Sequence, residues 1–383
     1  MSTPFTFSKL TLVFLTLPLA SLSHSAGVDR SGQDISAFLQ DGTYAEAVYT
    51  YIDADISGVD NANNKTGDIF KTYDFFRYGV KTDIDDTLSI GVLYDEPFGA
   101  EAGYKDKSNF VSSNASPTVG EGTDVSLRTY NLTGILGAKI GAAKNIQVYA
   151  GPVYQKAAAE LEIRGDAYGP FDGYDATMSS DNAMGWLAGF AYSKPEKALK
   201  AALTYRSEIE HDINSTEVFK GNDYQTKIEL TTPESYNFDF QTGLNRTTLA
   251  TVNVRYVPWS DFAIVPPKYT SITKGPLIAY SDDQWKVDLG LAKRIADNLA
   301  ISGTVGWDSG AGNPVSSLGP IEGYYSVGLG AKYNMNKNWA ISAGGKYLKF
   351  GDAKGALSSG TIVSNFEDND GFALGVKLSY QDK

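Results

Sequence analysis

The sequence predicts an all-β protein, a fourteen-stranded antiparallel transmembrane β-barrel with a short N-terminal luminal hatch segment. Three observations predict it: an export signal at the start, segments of alternating polar and apolar residues, and a regular succession of short and long gaps between them. The composition agrees, because 383 residues with 39 glycines, 24 tyrosines and no cysteine favour one large β structure over several helical domains.

The first 25 residues are predicted to be a signal peptide. Lys9 precedes an apolar run, residues 10–22, and small residues follow up to Ser25. This order of charge, apolar stretch and small residues is typical of secretory signals, and we place the cleavage after Ser25. A buried N-terminal helix is the alternative. We divide the chain into a signal peptide (1–25), a short hatch (26–42) and a transmembrane β-barrel (43–383).

Fourteen segments are interpreted as strands, several of them longer than the usual five to six residues. They are residues 44–57, 70–82, 87–99, 124–140, 145–164, 183–193, 199–210, 234–244, 248–259, 284–294, 299–308, 322–333, 339–350 and 371–380. The gaps after even-numbered segments are tight, whereas those after odd-numbered segments are long and polar, as in 58–69, 165–182 and 211–233. An up-and-down barrel with turns on one side and loops on the other produces this parity.

The side-chain alternation indicates which medium each face meets. In the segment 124–140, Leu132 and Leu136 share one face, while Asn131 and Thr133 share the other. Apolar outside and polar inside is the membrane-barrel pattern. Aromatic residues near strand ends predict interfacial girdles, with ordinary β-core aromatics as the alternative. These residues are Tyr49, Tyr51, Tyr73, Phe75, Phe76, Tyr78, Tyr256, Trp259, Phe262, Tyr324 and Tyr325.

The composition also excludes several functional classes. A net charge of −12 lacks the basic stripe that nucleic-acid binding requires, so we expect no nucleic-acid partner. Without cysteine, and with His24 and His211 as the two histidines, little material is left for thiolate, metal or histidine chemistry. A hydrolase would have to use His211. We therefore predict no enzyme activity, no catalytic residue, no metal and no cofactor.

Five strings along the chain occur in a recognisable order and spacing. They are GVDRSGQDIS (27–36), YIDADISG (51–58), LSIGVLYDEPFG (88–99), ALTYRS (202–207) and VPWSDF (257–262). Together they resemble the FadL-like family of outer-membrane transporters for long-chain fatty acids and other hydrophobic compounds. The resemblance implies a luminal hatch and a third-strand kink that opens the wall sideways. It also implies passive uptake of long-chain fatty acids or similar molecules, with lateral or periplasmic release near the kink.

The chain departs from that family in two places. Longer members carry an Asn-Pro-Ala motif in a longer hatch, whereas here residues 27–42 precede the first strand and no such motif occurs. An aromatic last residue usually serves barrel assembly, and here Tyr380 stands three positions before the end. We expect Tyr380 to serve this recognition.

The end of the third predicted strand is the first candidate site. Proline cannot donate to a ladder and glycine invites a bulge. The resemblance therefore assigns Asp95, Pro97, Phe98 and Gly99 to the kink and its lateral opening. A strand that simply ends in a turn is the alternative.

Cations on the polar faces form the second candidate site. A carboxylate in an apolar pocket needs a charge partner or hydrogen-bond donors. The alternation places Glu208 and Asp288 inside as well, so a ladder of salt bridges that fills the lumen is the alternative. The candidate carboxylate-binding residues are Arg77, Arg206, Arg255, Lys286 and Lys346.

The hatch contains Ile35, Phe38 and Leu39 at helical spacing, enough for about two turns that could pack on inward side chains. A disordered periplasmic tail is the alternative. We expect a monomer in the Gram-negative outer membrane, with a hydrophobic small molecule, membrane lipid, lipopolysaccharide and the barrel-assembly machinery as partners. The alternative function is a general or substrate-selective diffusion porin with a water-filled lumen.

Overall fold

The structure, a computed structural model, describes residues 28–105, 107–113, 116 and 118–382. The predicted signal peptide, residues 1–25, lies outside the described residues. None of the helices in the described part of the chain is long and apolar enough to cross a membrane.

Fourteen strands form the wall of the molecule, and three of them are broken into two parts. In chain order they are β1 Thr43–Asp55, β2 Tyr73–Asp83, β3 Leu88–Asp95 and Gly99–Gly103, β4 Asp124–Ile140, β5 Ile146–Ile163, β6 Tyr174–Lys194, β7 Leu199–Arg206 and Ile209–Phe219, β8 Asn222–Thr232 and Ser235–Asn245, β9 Thr248–Val257, β10 Gln284–Ala296, β11 Leu299–Asp308, β12 Glu322–Asn334, β13 Trp339–Gly351 and β14 Asp370–Asp382.

The sheet closes on itself, because β1 pairs antiparallel with both β2 and β14. Every other strand pairs antiparallel with its two neighbours in sequence. The predicted fourteen-stranded antiparallel barrel is confirmed. Closure satisfies the backbone of the edge strands, which a bilayer could not do.

The two faces of the wall have the predicted polarity. In β4, Leu132 is 50% exposed and Leu136 is 63% exposed on the outside, whereas Asn131 and Thr133 are buried on the lumen side. Exposed leucines are favourable there because hydrocarbon, not water, surrounds a barrel in a membrane.

A band of outward aromatic rings marks one membrane boundary. Trp186, Tyr205, Tyr236, Tyr256 and Trp285 lie on the adjacent strands β6–β10, and successive ring centroids are 5.0, 5.0, 6.1 and 4.8 Å apart. Amphipathic rings occupy the headgroup level of a membrane. We call these five residues the aromatic girdle.

Five aromatic residues that the sequence assigned to girdles are instead buried inside: Tyr73, Phe75, Trp259, Phe262 and Tyr324. Tyr73, Phe75 and Tyr324 alternate onto the lumen faces of β2 and β12. Trp259 and Phe262 follow the end of β9 and belong to the loop before β10. Proximity to a strand end does not distinguish these positions from girdle positions.

The predicted loop 211–233 is wrong, because β7 and β8 continue through it and turn at Lys220 and Gly221. Both turn residues have positive φ, 51° and 72°, as a tight hairpin requires. The outward residues of this hairpin, such as Asp212 and Glu229, are polar because it extends beyond the girdle into water. The predicted loop 165–182 is wrong in part for the same reason, because β6 already begins at Tyr174.

Loops between the strands cover the end of the barrel beyond the girdle. Short strands Gly58–Asp60, Ile362–Phe366, Ala353–Ala356 and Val315–Ser316 form a four-stranded sheet there. The loop between β9 and β10 carries the one described α-helix, α1 Pro267–Thr273, whose first backbone amides donate to the buried Glu217 carboxylate.

Candidate functional site

The chain from Val28 to Gly42, the N-terminal segment, packs against lumen-facing side chains. Arg255 of β9 donates to the Asp29 carboxylate through Nε at 2.7 Å and Nη2 at 3.1 Å, and Nη2 also donates to Gln33 Oε1 at 3.1 Å. Asp29 and Arg255 are both buried. A bidentate pair fixes orientation as well as distance, so it ties the segment to the wall.

Apolar side chains anchor the second half of the N-terminal segment. The predicted hatch residues are all buried: Ile35, Phe38 and Leu39. The Phe38 ring lies 5.7 Å from that of Tyr149, and a Cβ at Gly91 or Gly137 would lie 2.7 or 2.8 Å from it. Glycine at these two positions therefore makes room for the ring. The backbone forms successive turns here, such as Phe38 N to Ile35 O at 3.0 Å, instead of the predicted two turns of helix.

The wall is interrupted between β2 and β3. Their ladder ends at the pair Tyr78 and Tyr94, and beyond it β3 leaves the strand conformation from Glu96 to Phe98. The second part of β3 pairs with β4, and toward β2 the described residues form one isolated bridge, between Phe70 and Ala102.

The N-terminal segment supplies partners for the interrupted backbone. Gly99 N donates to Val28 O and Arg30 N donates to Pro97 O, both at 2.7 Å. The Thr129 hydroxyl of β4 accepts from Phe98 N at 2.9 Å and donates to Phe98 O at 2.7 Å. Buried backbone groups that lose a ladder need such substitutes.

Two side chains of the N-terminal segment contact the predicted kink residues. The Ser31 hydroxyl donates to the buried Asp95 carboxylate at 2.7 Å. Arg30 lies with its guanidinium 4.0 Å above the Tyr73 ring, and a Cβ at Gly99 would lie 2.5 Å from Arg30 Cζ. A side chain at position 99 would therefore have to displace this arginine.

A small cavity lies between the break in β3 and the loop that joins β9 to β10. Val28, Leu127, Met178 and Phe262 are typical of its apolar lining, and among the described residues that line it the charged one is Glu160. Burial raises the pKa of Tyr280, another lining residue, so its hydroxyl stays neutral.

Four of the five predicted carboxylate-binding cations pair with carboxylates of the protein itself. Arg255 pairs with Asp29, as described above. Arg77 lies 3.0 Å from Asp34 and 3.5 Å from Glu46. The other two share one partner: Lys286 and Lys346 lie 3.4 and 2.9 Å from the Asp288 carboxylate.

Arg206 differs from these four. It is 4% exposed, and no carboxylate oxygen of the described residues lies within 4.0 Å of its guanidinium. Its contacts are long, 3.5 Å from Nη1 to Thr133 Oγ1 and 3.4 Å from Nη2 to the Gln33 carbonyl, and its Nε has no partner. Buried guanidinium groups normally have charged partners.

The alternation misassigned Glu208 and missed two contributors. Glu208 is exposed because β7 breaks just before it, at Ser207. Arg30 lies over the Tyr73 ring, and the Trp259 ring lies 5.6 Å from that of Phe98, but the sequence placed neither residue at the site. Arg30 precedes the first strand, where no periodicity applies, and Trp259 resembled a girdle residue.

The comparisons with known proteins fit this geometry. The family model described as outer membrane protein transport protein (OMPP1/FadL/TodX) matches residues 35–381. The chain belongs to the FadL/TodX family. Members of this family are transport channels of the Gram-negative outer membrane, and we therefore describe the protein as an outer-membrane transport protein for hydrophobic compounds.

Solved structures of the FadL/TodX family share the fold. A Pseudomonas aeruginosa FadL homologue is 14% identical, with a TM-score of 0.70 over 90% of this chain and 91% of that chain. The Pseudomonas putida toluene transporter TodX is 14% identical, with a TM-score of 0.60 over 90% of this chain and 91% of that chain. The Ralstonia pickettii toluene transporter TbuX is 12% identical, with a TM-score of 0.61 over 91% of this chain and 92% of that chain. No curated protein matches the sequence.

Proposed function

We propose that the protein takes up neutral hydrophobic small molecules, binds them in the cavity and releases them sideways at the break in β3. The observation that carries this proposal is the largely apolar cavity, which has no cation among its described lining residues and has Ala100, directly beyond the break, in its lining. A molecule in the cavity is therefore close to the interruption between β2 and β3.

The lining favours neutral substrates over ionised ones. Burying a carboxylate without a partner is strongly unfavourable, and the described residues that line the cavity include no cation. A neutral ring or alkyl chain loses nothing by the absence of a cation. The toluene transporters TodX and TbuX, which share the fold, support this choice by their names alone.

Transfer of such a molecule requires no cofactor or energy source. Moving from water to a lipid-like environment is favourable by about 0.8 kcal/mol for each buried CH₂ group. The cavity offers an intermediate environment between the outside medium and the bilayer. Release into the membrane is then downhill.

An ionised long-chain fatty acid is the second candidate, and Arg206 favours it. A buried guanidinium without a carboxylate partner can donate two hydrogen bonds to the carboxylate headgroup. Arg206 does not line the cavity. The acid would therefore have to extend out of the cavity toward Arg206 and its neighbour Gln33.

A water-filled porin is less well supported, because the N-terminal segment occupies the lumen through buried ion pairs and apolar contacts. Sustained ion conductance of the intact protein in planar bilayers would favour the porin.

Calorimetry on the refolded barrel distinguishes the two substrate classes. We expect naphthalene to bind, with the same affinity in R206Q as in the wild type. If palmitate binds at least about tenfold more tightly than naphthalene, and R206Q removes this advantage, the second candidate is correct; tenfold corresponds to about 1.4 kcal/mol. R246Q, in the exposed turn between β8 and β9, is the matched control.

A further inference from the structure

The wall has a second interruption, between β6 and β7. Their ladder runs to the pair Leu187 and Arg206, stops, and resumes with the pair Met178 and Ser215. The register is the same on both sides, so residues 179–186 and 207–214 face each other without a ladder. We call this stretch the β6–β7 seam.

One end of the seam is held by a single serine. Ser207 N donates to Trp186 O at 2.9 Å, and the Ser207 hydroxyl accepts from Trp186 N at 3.0 Å. Ser207 lies at the break between the two parts of β7, outside the strand conformation.

Both the seam and the break in β3 follow aromatic residues of the outer face. The seam begins two residues after Tyr205, a member of the aromatic girdle. The break in β3 begins two residues after Tyr94, whose ring lies 5.8 Å from that of Tyr78 on the outer face of β2. Both interruptions thus start just beyond a band of aromatic rings at the membrane boundary.

Side chains close the seam on the lumen side. Ile209 fills the space beside Gly185, because a Cβ at Gly185 would lie 2.6 Å from Ile209 Cγ1. His211 Nδ1 lies 3.0 Å from Asp181 Oδ2 in a hydrogen bond across the seam. Opening the seam would displace these side chains but would break no backbone ladder.

The cavity reaches the seam. Met178, the first residue beyond it on β6, lines the cavity together with Ala159 of β5. Ala100 lines the same cavity on the β3 side. A molecule in the cavity is therefore adjacent to both interruptions.

The outer rim of the seam is acidic. Glu208 and Glu210 alternate along the exposed face of β7, and Asp212, which follows them on that face, pairs with Lys227 at 2.7 Å. Such a rim repels carboxylates and leaves neutral molecules unaffected.

We propose that the β6–β7 seam is a second lateral portal, through which neutral apolar molecules pass between the cavity and the membrane boundary. Ile209 and the His211–Asp181 pair are its closure. This inference rests on the proposed function, because it assigns a second route to the same substrate class. It goes beyond that function by placing a route three strands away from β3.

A disulfide across the seam tests the portal. The chain contains no cysteine, so G185C/I209C introduces the only thiol pair, and the two positions are close enough to bridge. A191C/A202C, at directly paired positions of the same two strands, is the control. The readout is delivery of N-phenyl-1-naphthylamine into proteoliposomes that contain lipopolysaccharide, measured before and after oxidation.

We expect oxidation of G185C/I209C to slow delivery about twofold, and more strongly in a P97V/G99V background where the β3 route is impaired, with reversal by reductant. Oxidised A191C/A202C should match its reduced form. Equal rates for oxidised and reduced G185C/I209C in both backgrounds would overturn the second portal. Delivery by the wild type no faster than by protein-free vesicles would instead overturn the proposed function, and the portal with it.

If G185C/I209C does not refold, the variant I209A tests the portal instead, because it loosens the seam where the disulfide would lock it. Truncation of Ile209 removes one of the two closures, so delivery should rise relative to the wild type. Unchanged delivery by a folded I209A would overturn the portal in that case.

Discussion

Phe98, at the break in β3, packs edge-on against Trp259 from the loop between β9 and β10. Their ring centroids are 5.6 Å apart and the ring planes make an angle of 83°. Trp259 is held in turn by a hydrogen bond of 2.8 Å from its Nε1 to Gln284 Oε1. Both rings are fully enclosed. The contact joins the wall interruption to the loop that lines the cavity.

We expect F98A to speed the release of bound naphthalene, because the ring connects the break to Trp259 of the loop that lines the cavity. The loss of a buried phenylalanine should also lower the free energy of unfolding by about 3–5 kcal/mol. F350A is the control, since Phe350 is equally buried but packs in the cluster under the loops. Release rates that rise equally in both variants would indicate general loosening and contradict this role.

Replacing Pro97 and Gly99 with strand formers, as P97V/G99V, should slow release and leave binding intact. Valine at position 97 restores a backbone donor, and a side chain at position 99 collides with the Arg30 guanidinium, 2.5 Å from the new Cβ. Stopped-flow release and equilibrium binding of naphthalene provide the two measurements. Unchanged release would refute the assigned role of the break.

The variant D29A should open an ion-conducting path through the barrel. It leaves Arg255 buried without its carboxylate, a change that costs about 3–5 kcal/mol and loosens the N-terminal segment. Single-channel recordings in planar bilayers check the prediction. D41A, at the exposed end of the same segment, should stay closed. A silent D29A channel would mean that apolar contacts alone retain the segment.

The base of the loop between β9 and β10 should weaken in acid. Partial burial raises the pKa of Asp283, but hydrogen bonds from the Ser260 and Tyr256 hydroxyls outweigh it and hold the pKa below its usual range. This anchoring is therefore complete above the unfolded pKa of about 3.9 and is lost as the pH falls through the folded value.

Hydrogen exchange of residues 260–282, corrected for its intrinsic pH dependence, should stay constant from neutral pH down to about 4 and then rise. In D283N the exchange should already be faster at neutral pH and lack the acid step. An acid step that persists in D283N would assign it to another group.

The sequence predicts the barrel well because lipid and lumen impose opposite demands on alternate residues. The alternation of Leu132 and Asn131 predicts that β4 belongs to the barrel wall, and Pro97 predicts the interruption of β3. Beyond the girdle this contrast disappears, since Asp212 on the outside meets water, and the pattern there predicts a loop where the chain forms a strand.

Long-range partners could not be predicted. Arg255 pairs with Asp29 across 226 positions, and no local pattern connects them. Arg206 looks like Arg77 and Arg255 in sequence, and only the folded N-terminal segment shows that its carboxylates pair with those two arginines.

The most direct test of the account is delivery of a neutral apolar tracer by L127W. Leu127 lines the cavity and is buried, so a tryptophan there fills the space through which the tracer must pass. L127I, which keeps the volume, is the control, and heat-modified gel mobility checks that both barrels are folded. We predict that L127W loses delivery of naphthalene into lipopolysaccharide-containing proteoliposomes while L127I retains it. Full delivery by a folded L127W would contradict the cavity as the transport route.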